Sequence, residues 1–275
     1  MKKNLNENQW VKWFWKWYFI SLLFIALFFT ALSLGWLGFM PSFEELENPK
    51  SKLASEVISA DQKVLGSFYL ENRSNVHYSE LSPWLVKALI ATEDSRFEQH
   101  SGIDGKAIAR AVVGMVTGTD KGGGSTITQQ LAKNLFPREQ HFTIFGTGFS
   151  KLKEWITAIK LERNYTKEEI LALYLNTVDF GSLAFGIKSA ARTYFDKTPA
   201  ELNIQESAVL IGLLKAPSYF HPVRNKERSK KRREVVLSQM LKNGYITEKQ
   251  YDSVRVLPLD MSQYTLQDHN SGPGT

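Results

Sequence analysis

Between Trp17 and Phe43 the chain carries no charged side chain, and from Phe19 to Phe39 it is dominated by Phe, Leu, Ile and Ala. About 20 such residues in a helix span the hydrocarbon core of a bilayer. The run therefore predicts a transmembrane anchor over 17–40, preceded by a short tail at 1–16. Lys2, Lys3, Lys12 and Lys16 stand before it against Glu7, whereas Glu44, Glu45 and Glu47 follow it. The excess of cations on the first side places the N-terminus in the cytoplasm and everything after Pro41 outside. Trp10, Trp13, Trp15, Trp17 and Tyr18 at one end, with Trp36 at the other, fit the aromatic belts of the two interfaces. A cleaved signal peptide is the alternative, but the run is longer than a signal h-region and no clear small-x-small site follows it.

What remains has to fold as an extracytoplasmic domain. With 43% hydrophobic and 12% aromatic residues the 275-residue chain is neither disordered nor low in complexity. The absence of cysteine removes disulfide scaffolds, thiolate metal sites and thiol nucleophiles. Lys and Arg number 34 against 28 Asp and Glu, a net charge of +6 that suggests an anionic partner: nucleic acid, phospholipid or a phosphorylated substrate.

Residues 41–56 read as a polar linker and 57–69 as a small β-hairpin. From Ser82 the pattern turns helical, with Ser82 and Pro83 as N-cap and first helical residue. Further helices are expected at 125–136, 151–163, 167–176 behind a Thr166–Glu169 capping box, 184–195, 204–214, and 226–242 closed by Asn243 and Gly244. The reading is a mainly α domain over 57–255 with short β pieces. A polar, turn-rich segment at 256–275 follows, as a tail or the start of a linker toward a further domain.

Three segments carry candidate chemistry. In 91–102 (ATEDSRFEQHSG), Glu93 lies three and four residues beyond Ile90 and Leu89, on the apolar face of a continuing helix. Desolvation of a carboxyl there favours the neutral acid, as a general base or acid working near neutrality requires. Asp94 points elsewhere, toward backbone or His100; an ordinary helix end with solvated charges is the alternative. In 122–134 (GGGSTITQQLAKN), glycines run into a Ser125-capped helix start whose N–H groups can face an anion. Thr126, Gln130 and Lys133 on adjoining turns could add donors, while a flexible loop with a plain N-cap is the competing reading. The spacing is not that of a Walker A loop. In 150–162 (SKLKEWITAIKLE), Leu152, Trp155, Ile156 and Ile159 form the expected buried stripe, leaving Lys151, Glu154, Ala158 and Glu162 on a second face that reads as solvated. Ser150 and Lys153 match the Ser-x-x-Lys of penicillin-recognising enzymes, but neither Ser-Asp-Asn nor Lys-Thr-Gly follows.

Taken in order, these segments resemble the motifs of the peptidoglycan glycosyltransferases. This is glycosyltransferase family 51, found as monofunctional enzymes and as the N-terminal module of class A penicillin-binding proteins. The likeness continues through ILALYLN at 170–176, Gly181, Gly186, Ala190-Ala191, Tyr194-Phe195, Glu206-Ser207-Ala208, GLLKAPS at 212–218, and Arg232-Arg233 before Val236-Leu237, and covers Ser59 to Tyr251. It implies a mostly helical, lysozyme-like lobe beside a smaller membrane-proximal lobe, on the outer, periplasmic side of a bacterial cytoplasmic membrane. The reaction implied is polymerisation of lipid II. The growing lipid-pyrophosphate-linked glycan is the donor, the 4-hydroxyl of the incoming disaccharide is the acceptor, and inversion gives a β-1,4 linkage.

By the same resemblance Glu93 matches the catalytic base and Glu154 the second catalytic carboxylate, near the donor pyrophosphate. There it assists departure directly or through a divalent cation (Mg or Mn), although no cofactor is obligatory. A carboxylate facing a pyrophosphate repels it unless a cation intervenes, so Lys151 or a metal is needed. The substrate-facing set is Asp94, Phe97, His100, Ser125, Thr126, Gln130, Lys133, Asn134, Lys151 and Arg233, with Asp94, Phe97 and His100 supporting the first motif. Ser150 stands where the family usually has Arg, so one cation is missing. The implied partners are lipid II, the growing lipid-linked glycan, the membrane and a transpeptidase domain or other cell-wall synthesis protein. A lytic or hydrolytic muramidase of lysozyme-like fold and a catalytically weakened, membrane-anchored scaffold are the rival readings. A nucleic-acid partner is disfavoured because the anchor puts the basic run at 224–233 outside the cytoplasm. The aromatic cluster Phe136, Phe142, Ile144, Phe145 and Phe149 either dips into the outer leaflet or packs on its own domain.

Overall fold

The computed structural model describes residues 7–36, 55–58, 64–68, 76–118, 123–136 and 144–266. Residues 1–6 of the expected 1–16 tail, 37–40 of the expected anchor, 41–54 of the expected 41–56 linker, 59–63 and 69 of the expected hairpin, Phe142 and the last nine positions lie outside these. Among the described residues the order is α1 (Glu7–Ser33), β1 (Ser55–Ile58), β2 (Val64–Phe68), α2 (Pro83–Glu93), α3 (Gly105–Thr117), α4 (Ile127–Leu135), α5 (Ile144–Asn164), α6 (Lys167–Thr177), α7 (Ile187–Phe195), α8 (Ile204–Leu213), α9 (Lys226–Lys242) and α10 (Glu248–Arg255). Short 3₁₀ turns sit at Tyr78–Glu80, Phe97–Gln99 and Pro199–Glu201. The strands pair antiparallel with an irregularity after Val57, and β1 starts two residues inside the expected linker.

Local sequence explains most helix ends. The Ser82 side chain accepts from Trp84 N ahead of Pro83, and capping boxes open α6, α8 and α10 at Thr166–Glu169, Asn203–Glu206 and Thr247–Gln250. α9 stops at Asn243, with Gly244 at φ 72° taking the left-handed turn. Two helices, α3 and α10, were not expected. α5 also begins at Ile144 rather than at 151, running through Gly146 and Gly148 despite their poor helix propensity. The core is built where α2, α8 and α9 pack on one another and α4 packs on α5 and α6, around Leu85, Leu89, Leu131, Ile170, Leu210, Ile211, Val236, Leu237 and Met240.

α1 is long and apolar enough to cross a membrane, and it starts ten residues before the expected span. Its side chains are mostly uncovered, with Phe24 70% exposed. Its C-terminal end is the exception: Leu32 is buried, Phe28 meets Phe149 edge-on at 6.4 Å, and Lys160 Nζ donates to Ser33 O at 3.3 Å. The apolar helix is thus seated directly on α5.

The segment expected as a loose tail is partly folded onto the domain. Leu259 is buried, Thr265 N donates to Thr193 O, and the Tyr264 hydroxyl lies 3.0 Å from Ser182 Oγ. Ser182 also faces His221 Nε2 at 2.8 Å, while His221 Nδ1 accepts from the backbone N–H groups of Val223 and Arg224. Nδ1 is therefore the unprotonated nitrogen, Nε2–H is a donor to the serine, and the pair is not a nucleophile with its base. Burial, followed by the Arg224 charge, lowers the His221 pKa below its ordinary 6.5. The neutral ring is the one the fold holds, so His221 adds stability above about pH 6.5. That contribution is lost as pH falls from there through the lowered folded value. The melting temperature is expected to drop over this window, and His221→Asn, which keeps an acceptor near Nδ1, is expected to flatten the drop. Melting curves at pH 7.5 and 5 check both.

Candidate active site

The three chemistry-bearing segments meet at Gly102. Its φ of +87° is a glycine conformation, and a Cβ there would lie 2.9 Å from the Ala158 backbone of α5. Its carbonyl accepts from Thr126 Oγ1 at 2.7 Å and Gln129 Nε2 at 3.1 Å, both from the second segment. One carbonyl and one missing side chain therefore lock the loop after α2 to the start of α4 and the middle of α5.

Asp94 closes α2 and reaches across to α4. Buried at 7% exposure, it accepts from Ile127 N at 3.1 Å and meets His100 Nε2 at 2.9 and 3.1 Å. A carboxylate at a helix N-terminus is favoured by the helix dipole. The N-cap of α4 is Thr126, whose Oγ1 accepts from Gln129 N, and not Ser125 as expected. At the helix start Asp94 and Thr126 themselves take the N–H groups of Ile127 and Gln129. Thr126, 1% exposed, is committed to this junction. Gly124 serves close packing, for its Cβ would meet Ala111 at 3.2 Å. Phe97 is likewise framework: it is fully buried under the Lys167 ammonium, which stands 4.2 Å over its ring, donates to His100 O and pairs with Glu162 at 2.8 Å.

Glu93, the last residue of α2, is half-buried and held by polar partners rather than by the apolar face expected for it. Gln130 Nε2 donates to its Oε2 at 3.0 Å, and Arg232 lies 3.9 Å from Oε1. The Tyr174 hydroxyl donates to Gln130 Oε1 at 2.9 Å, and Arg232 Nε donates to Gly212 O at 3.4 Å. Sequence reasoning missed Tyr174 and Arg232. A signal for the arginine was present: Ser229, Arg233, Val236, Leu237 and Met240 are the buried stripe of α9, which turns Arg232 outward from the core by one position. Arg233, expected to bind substrate, is 1% exposed and instead donates to the carbonyls of Arg255 and Leu257, tying α9 to the end of α10.

Glu93 and Asp94 open onto a cleft of about 520 Å³ that also takes in Arg96, Asp104, Arg110, Ser125, Thr126, Gln239 and Lys242. Arg96 is ion-paired with Asp104. Burial opposes ionisation of Asp104, but the Ala107 N–H and the Arg96 guanidinium outweigh it and hold the carboxyl below its usual value. Arg110 and Lys242 remain as exposed cations beside the cleft. Lys133 and Asn134 are exposed one turn beyond Gln130 on α4 and do not line it.

Glu154 lies one step removed. It is buried at 6% exposure and bridged to Lys151 Nζ at 2.8 Å, and the same ammonium donates to Ser125 Oγ at 3.0 Å, at the cleft wall. The expected orientation of α5 is reversed here. Ser150, Glu154, Thr157, Ala158 and Leu161 are the buried face, while Leu152, Trp155, Ile156 and Ile159 are only half-covered on the side where Phe149 and Lys160 touch α1. Among the described residues no three His, Asp or Glu side chains converge. Lys151 Nζ is a cation bonded to Glu154 here.

Comparison with known proteins gives this site its context. The transglycosylase family model matches residues 61–241. Penicillin-binding protein 1A of Escherichia coli (strain K12) is 40% identical over 235 residues, covering 85% of this chain and 27% of that protein. Penicillin-binding protein 1A of Aquifex aeolicus is 40% identical over 250 residues, with 87% and 34% covered. The crystal structure of Penicillin-Binding Protein 1A from Haemophilus influenzae aligns at TM-score 0.45 and 25% identity over 79% of this chain and 22% of that one. The chain belongs to the transglycosylase family, the peptidoglycan glycosyltransferases of class A penicillin-binding proteins. It spans only 27% and 34% of the length of the Escherichia coli and Aquifex aeolicus relatives.

Proposed function

We propose that the chain polymerises peptidoglycan glycan strands from lipid II. The observation that carries this is Glu93, held between a directed amide and a guanidinium beside a cleft flanked by Arg110 and Lys242. Glu93 takes the proton of the acceptor 4-hydroxyl as that oxygen bonds to the donor's anomeric carbon, and the bond from that carbon to the lipid pyrophosphate breaks on the opposite face. Inversion and a β-1,4 linkage follow from that geometry. Lys151, oriented by Glu154 and Ser125, offsets the charge that develops on the departing pyrophosphate, and Arg110 and Lys242 attract the anionic substrate into the cleft.

The family and the N-terminal apolar helix support a membrane-anchored protein. The cation excess before that helix supports a cytoplasmic N-terminus and an outward-facing catalytic domain over 57–255, with a lysozyme-like lobe and a smaller lobe near the bilayer. The greater length of the relatives leaves room for a transpeptidase domain as partner.

Purified protein in detergent, given fluorescent lipid II, is expected to produce a ladder of lengthening glycan that a muramidase digests. Lipid II left intact under these conditions would contradict the reading, and soluble fragments released from polymeric glycan would replace it with a hydrolase.

A further inference from the structure

Tyr174 is 2% exposed and lies in the core, and its hydroxyl donates to Gln130 Oε1. The glutamine amide has one acceptor end and one donor end, so engaging its oxygen turns its nitrogen toward Glu93. Every proton in the chain Tyr174, Gln130, Glu93 then points at an acceptor, and the chain ends on the Glu93 oxygen that accepts from Gln130. Reversing the amide would present Oε1 to Glu93, which answers only with a proton on the carboxyl. The tyrosine's own proton would then lose the acceptor it has. The buried hydroxyl therefore disfavours the reversed, protonated arrangement. Burial, followed by the negative charge of Glu93, raises the Tyr174 pKa far above its ordinary value, so it remains a donor at every working pH. The other charges near Glu93 do not orient the amide, although the Arg232 cation also attracts the carboxylate. Arg232 from α9 stands 3.9 Å away and is bonded to Gly212 O, Asp94 is engaged with His100 and Ile127, and Arg96 is paired with Asp104.

We propose that Tyr174 is a positioning residue for the glycosyl-transfer step: its hydroxyl pins the Gln130 amide with Nε2 toward Glu93 and so holds the Glu93 carboxyl in place as the acceptor of the incoming hydroxyl's proton. This rests on the glycosyltransferase reading and adds to it a residue that touches no substrate.

Tyr174→Phe keeps the buried ring and removes the donor. Its kcat is expected to fall about 10-fold with KM little changed, and the acid limb of its pH–rate profile to move up by about one pH unit. Gln130→Ala breaks the same link from the cleft side, and Tyr174→Phe/Gln130→Ala is expected to lose no more than the worse single variant. An unmoved pH limb, or losses that multiply in the double variant, would overturn the inference. A second readout needs no turnover: infrared titration of the carboxyl band that vanishes in Glu93→Gln, whose midpoint is expected to rise in Tyr174→Phe. An unchanged midpoint overturns the inference even in a protein that makes no polymer. Absence of polymer from the parent protein alone strikes the glycosyltransferase reading.

Discussion

Glu93→Gln is expected to lower lipid II polymerisation by about 10²–10⁴-fold while leaving the domain folded, the range a lost general base produces. The change is nearly isosteric, so the half-buried position keeps its volume. What is lost is the acceptor at the end of the Tyr174–Gln130 chain and the partner of Arg232. The oxygen of the introduced amide can still accept from Gln130 Nε2, so the melting temperature is expected to move little. A substitution that unfolded the protein would lower activity trivially, and circular dichroism with a melting curve separates the two. Titration with lipid II at saturating concentration reads kcat, where the loss is expected to fall, because the carboxylate acts on the transferring proton rather than on ground-state binding. Near-normal polymer from Glu93→Gln would remove Glu93 from the mechanism and shift attention to the remaining acids of the cleft, Asp94 and Asp104, both of which are already engaged by other groups.

Signals confined to one turn of chain were readable in the sequence. Ser82 before Pro83, the Thr166–Glu169 box and the Asn243–Gly244 stop each bond within three or four residues, and each marks a helix end in the structure. Glu93, Gln130 and Lys151 were also readable as chemistry, through their motifs, and the structure brings the first two into contact. Assignments that depend on which surface a stripe meets were harder. α5 has two partners, the core on one side and α1 on the other, so its periodicity identified two faces without saying which one the domain would cover. Glu154 was therefore placed on a solvated face and is found buried. The pair Arg232 and Arg233 shows the same limit at one-residue scale, where a rotation of about 100° separates a side chain beside Glu93 from one clasping Arg255 and Leu257. The junction at Gly102 joins residues 24 and 27 positions apart, and the bond from Ile127 to Asp94 spans 33. No local pattern encodes such closures.

Lys151→Met is expected to separate the structural and the chemical work of the third segment. The methionine keeps the length of the side chain but removes the ammonium that bridges buried Glu154 and Ser125. Breaking a buried ion pair from one side costs about 3–5 kcal/mol when both partners are fully covered. Lys151 is 32% exposed while Glu154 is 6%, so water screens part of the loss and about 1–2 kcal/mol is the expected destabilisation. The double variant Lys151→Met/Glu154→Gln removes the charge along with its partner and is expected to recover most of that stability. Activity is expected to behave differently. If Lys151 offsets charge on the departing pyrophosphate, both variants lose about 10²-fold or more in polymerisation, as when a preorganised donor is deleted from a transition state. Chemical denaturation of the two variants, read beside their polymer yield, decides the matter. Activity that returns together with stability in the double variant would make the Lys151–Glu154 bridge a brace for α5. Stability that returns without activity would place the ammonium in the chemistry.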